Sequence, residues 1–479
     1  MLVLMSSIFD GPRITAALMK WDRAILGHQA GHILNFSHGI GFGWVSPTVQ
    51  ILQTPETPFE APITVEQVSW IGSTFAFGFL CGNIIFGLTV NRLARKYNMY
   101  LTAFPHMLFW ILNYFAQSVE YLYVGRFFAG LTSGGLFVIT PIFLSEILDV
   151  DIRGALMSMG MMFVSCGVLV GFILPTKVNY YVTPCIAVVF PIFYLLALYF
   201  FPDTPHSLLK RKRLAEAEEA FNFYKGIDCH SVQKSNADME QTKEASGAQS
   251  EFEEWKAIFL NGSSSQRVRL HDFCEFERSA IKAFADTFVL CILYQFSGCF
   301  VFINYMTSIL AESGSTMDPY AITPIVGASH ILGTFCATIL VERFGRRTLL
   351  FSSIIGLVVG MYGLGAFVQF TDAATKAKFD WIPLAFMIEV VFMSAYGLFA
   401  NFFTITVEIL PAKIRSQALS ISMCLVSILA FVVLKVYPYF LFDLGITVTM
   451  YTSATICVIT TIYLYAFLAE TKGKSMDKD

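Results

Sequence analysis

The sequence predicts an all-α membrane protein of twelve transmembrane helices, built as two six-helix bundles joined by a helical middle segment. Three observations predict it. The first is composition: of 479 residues, 55% are hydrophobic and only 14% charged, and the mean hydropathy is +0.61. A soluble chain carries roughly a quarter charged residues, and the 47 Phe suit side chains that face lipid. The second is a series of apolar runs, six before and six after a polar stretch at 203–278. Each is about 20 residues, enough to cross roughly 30 Å of hydrocarbon. The third is an internal repeat. Residues 123–154, YVGRFFAGLTSGGLFVITPIFLSEILDVDIRG, place Glu146 seven residues before Arg153, and VEILPAKIRS in the far half places Glu408 seven before Arg415. Matched charges at helix ends in two halves are what a carrier made of two repeats displays.

In chain order, the opening MLVLM is too short for a signal peptide, and Asp10, Arg13, Lys20, Asp22 and Arg23 interrupt the residues after it. Span 1 is expected near 24–45 and carries His28, His32 and His38. A Pro-rich loop, QILQTPETPFEAPITVEQ, comes next, without Lys or Arg. Spans 2 to 6 are expected near 68–90, 99–119, 122–143, 154–174 and 183–201. Gly130, Gly134 and Gly135 in span 4 suit close helix packing in lipid and read as scaffold, not site. In the polar stretch, RKRLAEAEEAFNFYK and SEFEEWKAIFL have the period of short amphipathic helices. HSVQKSNADMEQTKEASGAQ between them has the composition of a flexible linker. Spans 7 to 12 are expected near 281–304, 320–341, 349–370, 381–406, 414–438 and 445–468, before the polar tail AETKGKSMDKD. The expected units are therefore a first bundle at 1–203, a cytosolic linker at 204–280, a second bundle at 281–468 and a cytosolic tail at 469–479.

Charge sets the orientation and narrows the class. Alternate loops hold Arg92, Arg95 and Lys96, then Arg343, Arg346 and Arg347, then Lys413 and Arg415. The opposite loops hold only Lys177, Lys376 and Lys378. By the positive-inside rule, both termini and the middle segment are cytosolic. The sequon at Asn261 is then on the wrong side for glycosylation, and the one at Asn35 lies within span 1. Most of the ten Cys fall in apolar runs, with Cys229 and Cys274 in the polar middle, so neither a disulfide framework nor a zinc site is expected. The net charge of −3, with no basic stripe, excludes a nucleic-acid partner. GKS at 473–475 is no phosphate loop, because the glycine required five residues earlier is Leu468; with no HExxH or nucleophile elbow either, no enzyme is expected. No cofactor and no metal are expected.

The motifs resemble those of the sugar porter family of the major facilitator superfamily, and among its members the insect facilitated trehalose transporter type. GRFFAGLTSGG with PIFLSEI resembles the family's fourth span, and Arg153-Gly154 the RG that opens its fifth. PDTPHSLLKRKR resembles the PESPR box, QFSGCFVFINYMTSIL the seventh-span motif, VERFGRR the D/E-R-x-G-R-R loop, and AETKGKS the terminal PETKG. The resemblance covers nearly the whole chain. It implies a facilitative carrier of a hexose or trehalose in the plasma membrane, working by alternating access. It also implies a charge latch at the cytosolic helix ends made from Arg126, Glu146, Arg153, Glu342, Arg343, Arg346, Arg347, Glu408 and Arg415. The blander reading of such charges is topology alone, since single surface ion pairs are weak.

The implied substrate positions depart from the family. Its seventh-span Gln-Gln and following Asn become Tyr294, Gln295 and Phe300. The fifth-span Gln becomes Met161, and the tenth-span GPIPW aligns with FANFF, so Phe403 stands for the Trp and Asn401 sits two before it. The eleventh-span Asn-Trp becomes Val426-Ser427 and the eighth-span amide becomes His330. Each lost partner strands a sugar hydroxyl at roughly 1–3 kcal/mol. The candidate substrate residues are Gln295, Tyr294, Asn304, Tyr305, His330, Asn401 and Phe403, with Met161 and Phe300 at the altered positions.

Ionisable residues at membrane depth are functional suspects. His28 and His32 lie one turn apart with no third ligand, and Lys435 is expected to snorkel outward. Proton-coupled members carry an Asp in the first span; this span has no acid, which favours facilitated diffusion over a Glu389–His330 relay. If Gln295 is not a ligand, it bridges helices, with Asn401 as the expected partner. Two other readings remain open: a secondary carrier, proton-coupled or not, for another small organic solute, and a membrane sensor that does not transport. Oligomeric state is not legible.

Overall fold

The computed structural model describes residues 22–90, 92–147, 150–225, 250, 252–253, 255–257, 278–410 and 415–468. The linker sequence, the sequon at Asn261, Cys229, Cys274 and the tail lie outside the described residues, as do the side chains of His28, Arg153, Glu342 and Arg415. Every regular element among the described residues is helical.

The first half holds α1 (Asp22–Leu52), α2 (Val65–Thr89), α3 (Arg95–Tyr114), α4 (Val119–Ile147) and α5 (Val150–Lys177). Its sixth crossing is broken into α6 (Val182–Ala187) and α7 (Val189–Tyr199). Pro191 explains the break, because it has no N–H to return to the carbonyl of Ala187. The polar stretch begins with α8 (Pro205–Lys210) and α9 (Leu214–Lys225); Leu208, Leu209, Ala217, Phe221 and Phe252 bury a small core of their own.

The second half opens with α10 (Arg278–Phe296) and α11 (Cys299–Glu312), split where Gly298 takes a φ of +85°. It continues through α12 (Pro319–Phe344), α13 (Arg346–Phe370) and the short α14 (Ala373–Lys378). The tenth crossing is α15 (Ile382–Met393) and α16 (Ala400–Ile409) with one π-helical turn, Ser394–Phe399, between them. Last come α17 (Arg415–Asp443) and α18 (Ile446–Phe467). Several crossing bounds need correction, and the first runs on to Leu52, beyond 45. The third crossing ends at Tyr114, not 119, because Gln117 and Ser118 turn the chain; the seventh runs on to Glu312 as two helices, not one.

Ten of these crossings are long and apolar enough to span a membrane by length and composition, among the described residues. The other two, α1 and α3, have 31 and 20 residues, enough at 1.5 Å per residue. They are more polar, and that polarity faces inward: His32, Ser37 and His38 of α1 and Asn98, His106 and Asn113 of α3 are buried. The apolar bulk faces outward, as with Phe77, Phe104, Ile355 and Ile462, the arrangement lipid favours.

Small residues set the helix spacing. A Cβ on Gly130 would stand 1.9 Å from the carbonyl oxygen of Phe75, so α4 lies backbone to backbone on α2. Gly39 and Gly43 do the same for α1 against α5, 2.1 and 2.2 Å from the carbonyl oxygens of Val164 and Val168. The two halves meet where α2 packs on α17, α5 on α12 and α1 on α11.

Candidate functional site

The candidate site is the seam between the halves, where a carrier of this architecture would hold its passage. Its middle is lined by rings that touch in sequence across both halves. Phe137 of α4 stacks on Phe403 of α16 with centroids 4.7 Å apart and planes 18° from parallel. Phe403 lies 6.3 Å from Tyr294 of α10, which stacks on Phe402 at 4.1 Å. Tyr294 meets Phe300 of α11 edge-on at 5.6 Å, and Phe300 reaches back to Phe42 of α1 at 5.7 Å. Phe42 closes on Phe75 of α2 at 5.0 Å, and Phe79, one turn along α2, returns to Phe137 at 5.7 Å. Aromatic contacts therefore link α1, α2, α4, α16, α10 and α11 across the seam.

Most polar side chains at this level are already used. Gln295 is buried and its Nε2 donates to the carbonyl of Val426 at 3.0 Å, tying α10 to α17. A bridge through Gln295 exists, but it joins the seventh crossing to the eleventh and not to the tenth; Asn401, the expected partner, donates its Nδ2 to the Gly397 carbonyl one turn back at 2.9 Å. Asn83 of α2 donates to Ser427 Oγ at 3.0 Å, and Ser165 of α5 pairs with Thr334 of α12 at 3.0 Å. Among the described residues the Gln295 Oε1, the Tyr294 hydroxyl and both ring nitrogens of His330 are buried without a partner. Met161 is half-buried against the core, and His330 meets Phe399 edge-on at 5.0 Å. Glu389 is half-exposed on α15, with no hydrogen bond or ion pair to His330 among the described residues.

At the end away from the basic loops, the halves are joined. The Arg126 guanidinium is fully buried; Nη2 donates to Asn304 Oδ1 of α11 at 2.8 Å, Nε to the carbonyl of Ile71 at 3.2 Å, and the group lies 4.6 Å from the centre of the Phe75 ring. Ser46 Oγ donates to Thr307 Oγ1 at 3.0 Å, and Ser308 Oγ donates to Gln50 Oε1 at 3.0 Å. Tyr305 donates to the carbonyl of Leu434 at 3.0 Å, in a space left open because Gly72 lacks a Cβ. Lys435 reaches toward this end, as expected: Nζ donates to Ser69 Oγ at 2.8 Å and sits 3.7 Å over the Trp70 ring, both in the first turns of α2.

At the basic end, two ion pairs join helices of the same half. Glu146 of α4 pairs with Arg95 of α3 at 2.9 Å and accepts from the hydroxyl of Thr204, just before α8. Glu408 of α16 pairs with Arg346 of α13 at 3.3 Å. Arg347 donates to the carbonyl of Tyr465 at 2.9 Å and lies over the Phe351 and Tyr465 rings; Arg343 is exposed. Arg126 does not belong with these charges. Twenty residues of helix separate it from Glu146, about 30 Å at 1.5 Å per residue, which puts the two at opposite ends of α4.

Sequence reasoning missed three features of the passage. Phe137 is one more Phe in an apolar run. Asn83 and Ser165 are lone polar residues within such runs, and that isolation is the signal that marks them.

Comparison with known proteins agrees with this architecture. The family model described as "Sugar (and other) transporter" matches residues 42–478. A facilitated trehalose transporter, Tret1, of Polypedilum vanderplanki is 28% identical over 444 residues, covering 92% of this chain and 84% of the relative. Tret1 of Apis mellifera ligustica is 26% identical over 461 residues, 96% of this chain and 88% of the relative. The inward-open xylose transporter XylE of E. coli superposes with a TM-score of 0.73 at 18% identity, covering 95% of this chain and 98% of that one. The proton:xylose symporter XylE bound to 6-bromo-6-deoxy-D-glucose gives 0.68 at 19% identity, with coverage of 95% and 96%. The fold is that of the major facilitators, and the protein is a multi-pass membrane transporter, not an enzyme, that belongs to the sugar (and other) transporter family.

Proposed function

We propose that the protein is a facilitative carrier of a sugar, of hexose or trehalose class, that works by alternating access in the plasma membrane. Both termini and the segment 204–280 are cytosolic in this reading, and the bundles at 1–203 and 281–468 move against each other. One observation carries it: the two halves are tied to each other across their seam by buried hydrogen bonds that gather toward the end away from the basic loops. These are the Arg126–Asn304, Ser46–Thr307, Gln50–Ser308 and Ser69–Lys435 contacts. Ties of this kind form one of the two states alternating access requires. In this reading the state is closed outside, and among the described residues Glu146 pairs with Arg95 and Glu408 with Arg346, each within its own half. When the outer ties break, Glu146, Arg153, Glu342, Arg343, Arg346, Arg347, Glu408 and Arg415 take up the latch across the cytosolic ends. The names of the relatives support sugar as the solute.

The test is uptake of labelled glucose and trehalose into vesicles holding the protein, with and without a pH gradient. Equilibration of either sugar without accumulation is the expected result. No uptake of either, in correctly inserted protein, removes the sugar reading.

A further inference from the structure

Arg126 brings a full positive charge into the seam, and among the described residues no carboxylate meets it. It lies seven residues inside α4, about 10 Å from the start of that helix, and its side chain is fully buried. Nη2 donates to Asn304 Oδ1 at 2.8 Å and Nε to the Ile71 carbonyl at 3.2 Å, while Nη1 has no partner among the described residues. Both acceptors are neutral. The ionisable side chains beside it, His38 and Tyr305, carry no negative charge near neutral pH. The face of the Phe75 ring, 4.6 Å from the guanidinium, adds a weaker attraction.

A charge taken out of water calls for an opposite charge, and a buried guanidinium without one is costly. An ionisable residue at membrane depth marks a solute or ion path. The bond of Arg126 to the second half goes to Asn304, so parting the halves at this end breaks it. Nη2 is then free beside Nη1, which is unpartnered already. Two such N–H groups form the planar fork that takes a carboxylate bidentately. A carboxylate brings the negative charge that the Asn304 amide lacks, and two bonds in place of one.

Building on the sugar-carrier reading, we propose that the preferred solute is a sugar acid, and that Arg126 takes its carboxylate in place of Asn304. Solute and Asn304 compete for one guanidinium, so the solute favours the state in which this end is open. D-Glucuronate is a minimal form of this solute.

The test uses the full chain in liposomes, with the membrane potential held at zero by potassium and valinomycin. The solutes are labelled D-glucuronate, D-glucuronamide, glucose and trehalose. D-Glucuronate should half-saturate uptake at a concentration about tenfold below D-glucuronamide, which keeps the ring and lacks the charge. Arg126→Gln should bring that ratio close to one. Arg126→Lys keeps the charge and loses the fork, so it should retain only part of the preference, and it serves if the Gln variant does not fold. D-Glucuronate should also raise labelling of Ser308→Cys from outside. An equal rise with the same concentration of chloride would assign Arg126 to an inorganic anion and overturn the sugar-acid proposal. Uptake of glucose or trehalose with no preference for glucuronate over glucuronamide overturns it too, and leaves the sugar carrier standing. If neither sugar, acid nor amide is carried, the sugar reading fails, and this proposal with it.

Discussion

At the scale of single residues, the passage is governed by which polar atoms already have partners. Asn304 uses its Oδ1 for the Arg126 guanidinium and its Nδ2 for the Phe300 carbonyl at 2.8 Å. Asn304→Leu keeps the volume but removes the acceptor, and a hydrogen bond to a buried charge is worth about 1.5–3 kcal/mol. The closed end should then open in a larger share of molecules, by about tenfold or more. Labelling of a cysteine introduced at Ser308, measured from the extracellular side, should rise; unchanged labelling would remove Arg126–Asn304 from the closing contacts. Gln295 behaves differently, because its nitrogen bridges α10 to α17 while its oxygen has no partner among the described residues. Gln295→Ala should lower the melting temperature in detergent, consistent with the loss of one neutral hydrogen bond of about 1 kcal/mol. It should also weaken solute binding if Oε1 holds a hydroxyl. A drop in melting temperature with unaltered binding assigns Gln295 to the bridge alone. Both halves of this behaviour are legible in the residue type. The partner is not: no pattern in the sequence says that the carbonyl of Val426, and not Asn401, faces Gln295.

At the scale of elements, most crossings are legible because lipid forces the apolar periods to coincide with helices. What the hydropathy pattern lacks is the place where a crossing breaks. The α10–α11 break sits at Gly298, whose φ of +85° is open to glycine and strained for other residues. A Cβ there would also stand 2.1 Å from the Phe302 ring, so Gly298→Ala should destabilise the fold. The glycines of α4 read as scaffold, and the backbone contact of Gly130 with Phe75 explains that reading physically. Gly130→Leu should drive α2 and α4 apart, because the overlap is with backbone and no side chain can rotate away. The expected outcome is loss of the monodisperse peak after detergent extraction. A normal peak with normal melting would mean that α2 and α4 can separate without cost. The π-helical turn at Ser394–Phe399 leaves no mark in the sequence; an aligned run of apolar residues reads alike whether its hydrogen bonds reach back four residues or five.

At the scale of the whole molecule, the question is what drives the change from one closed end to the other. A proton-driven carrier needs a titrating group whose charge decides whether the halves are tied. Here the buried cation at the closing contact, Arg126, is held by two oxygens that do not titrate, the amide of Asn304 and the carbonyl of Ile71. The remaining ties are hydroxyl and amide contacts at Ser46, Thr307, Gln50 and Ser308, together with the Lys435 ammonium on Ser69. Neither a carboxylate nor an imidazole donates or accepts in these contacts, so protonation between about pH 5 and 8 removes none of their hydrogen-bonding atoms. Opening and closing should then depend on solute and not on pH. In vesicles, the internal solute concentration should rise to the external value and stop there, and an imposed pH gradient should alter neither the plateau nor its direction. Glu389 is the residue that tests this most sharply, since it is an acid at membrane depth with no ion pair to hold it charged among the described residues. Glu389→Gln should leave the plateau in place. Accumulation above the external concentration that appears with a proton gradient and vanishes in Glu389→Gln would make this a proton-coupled carrier, with the coupling outside the contacts that close the passage.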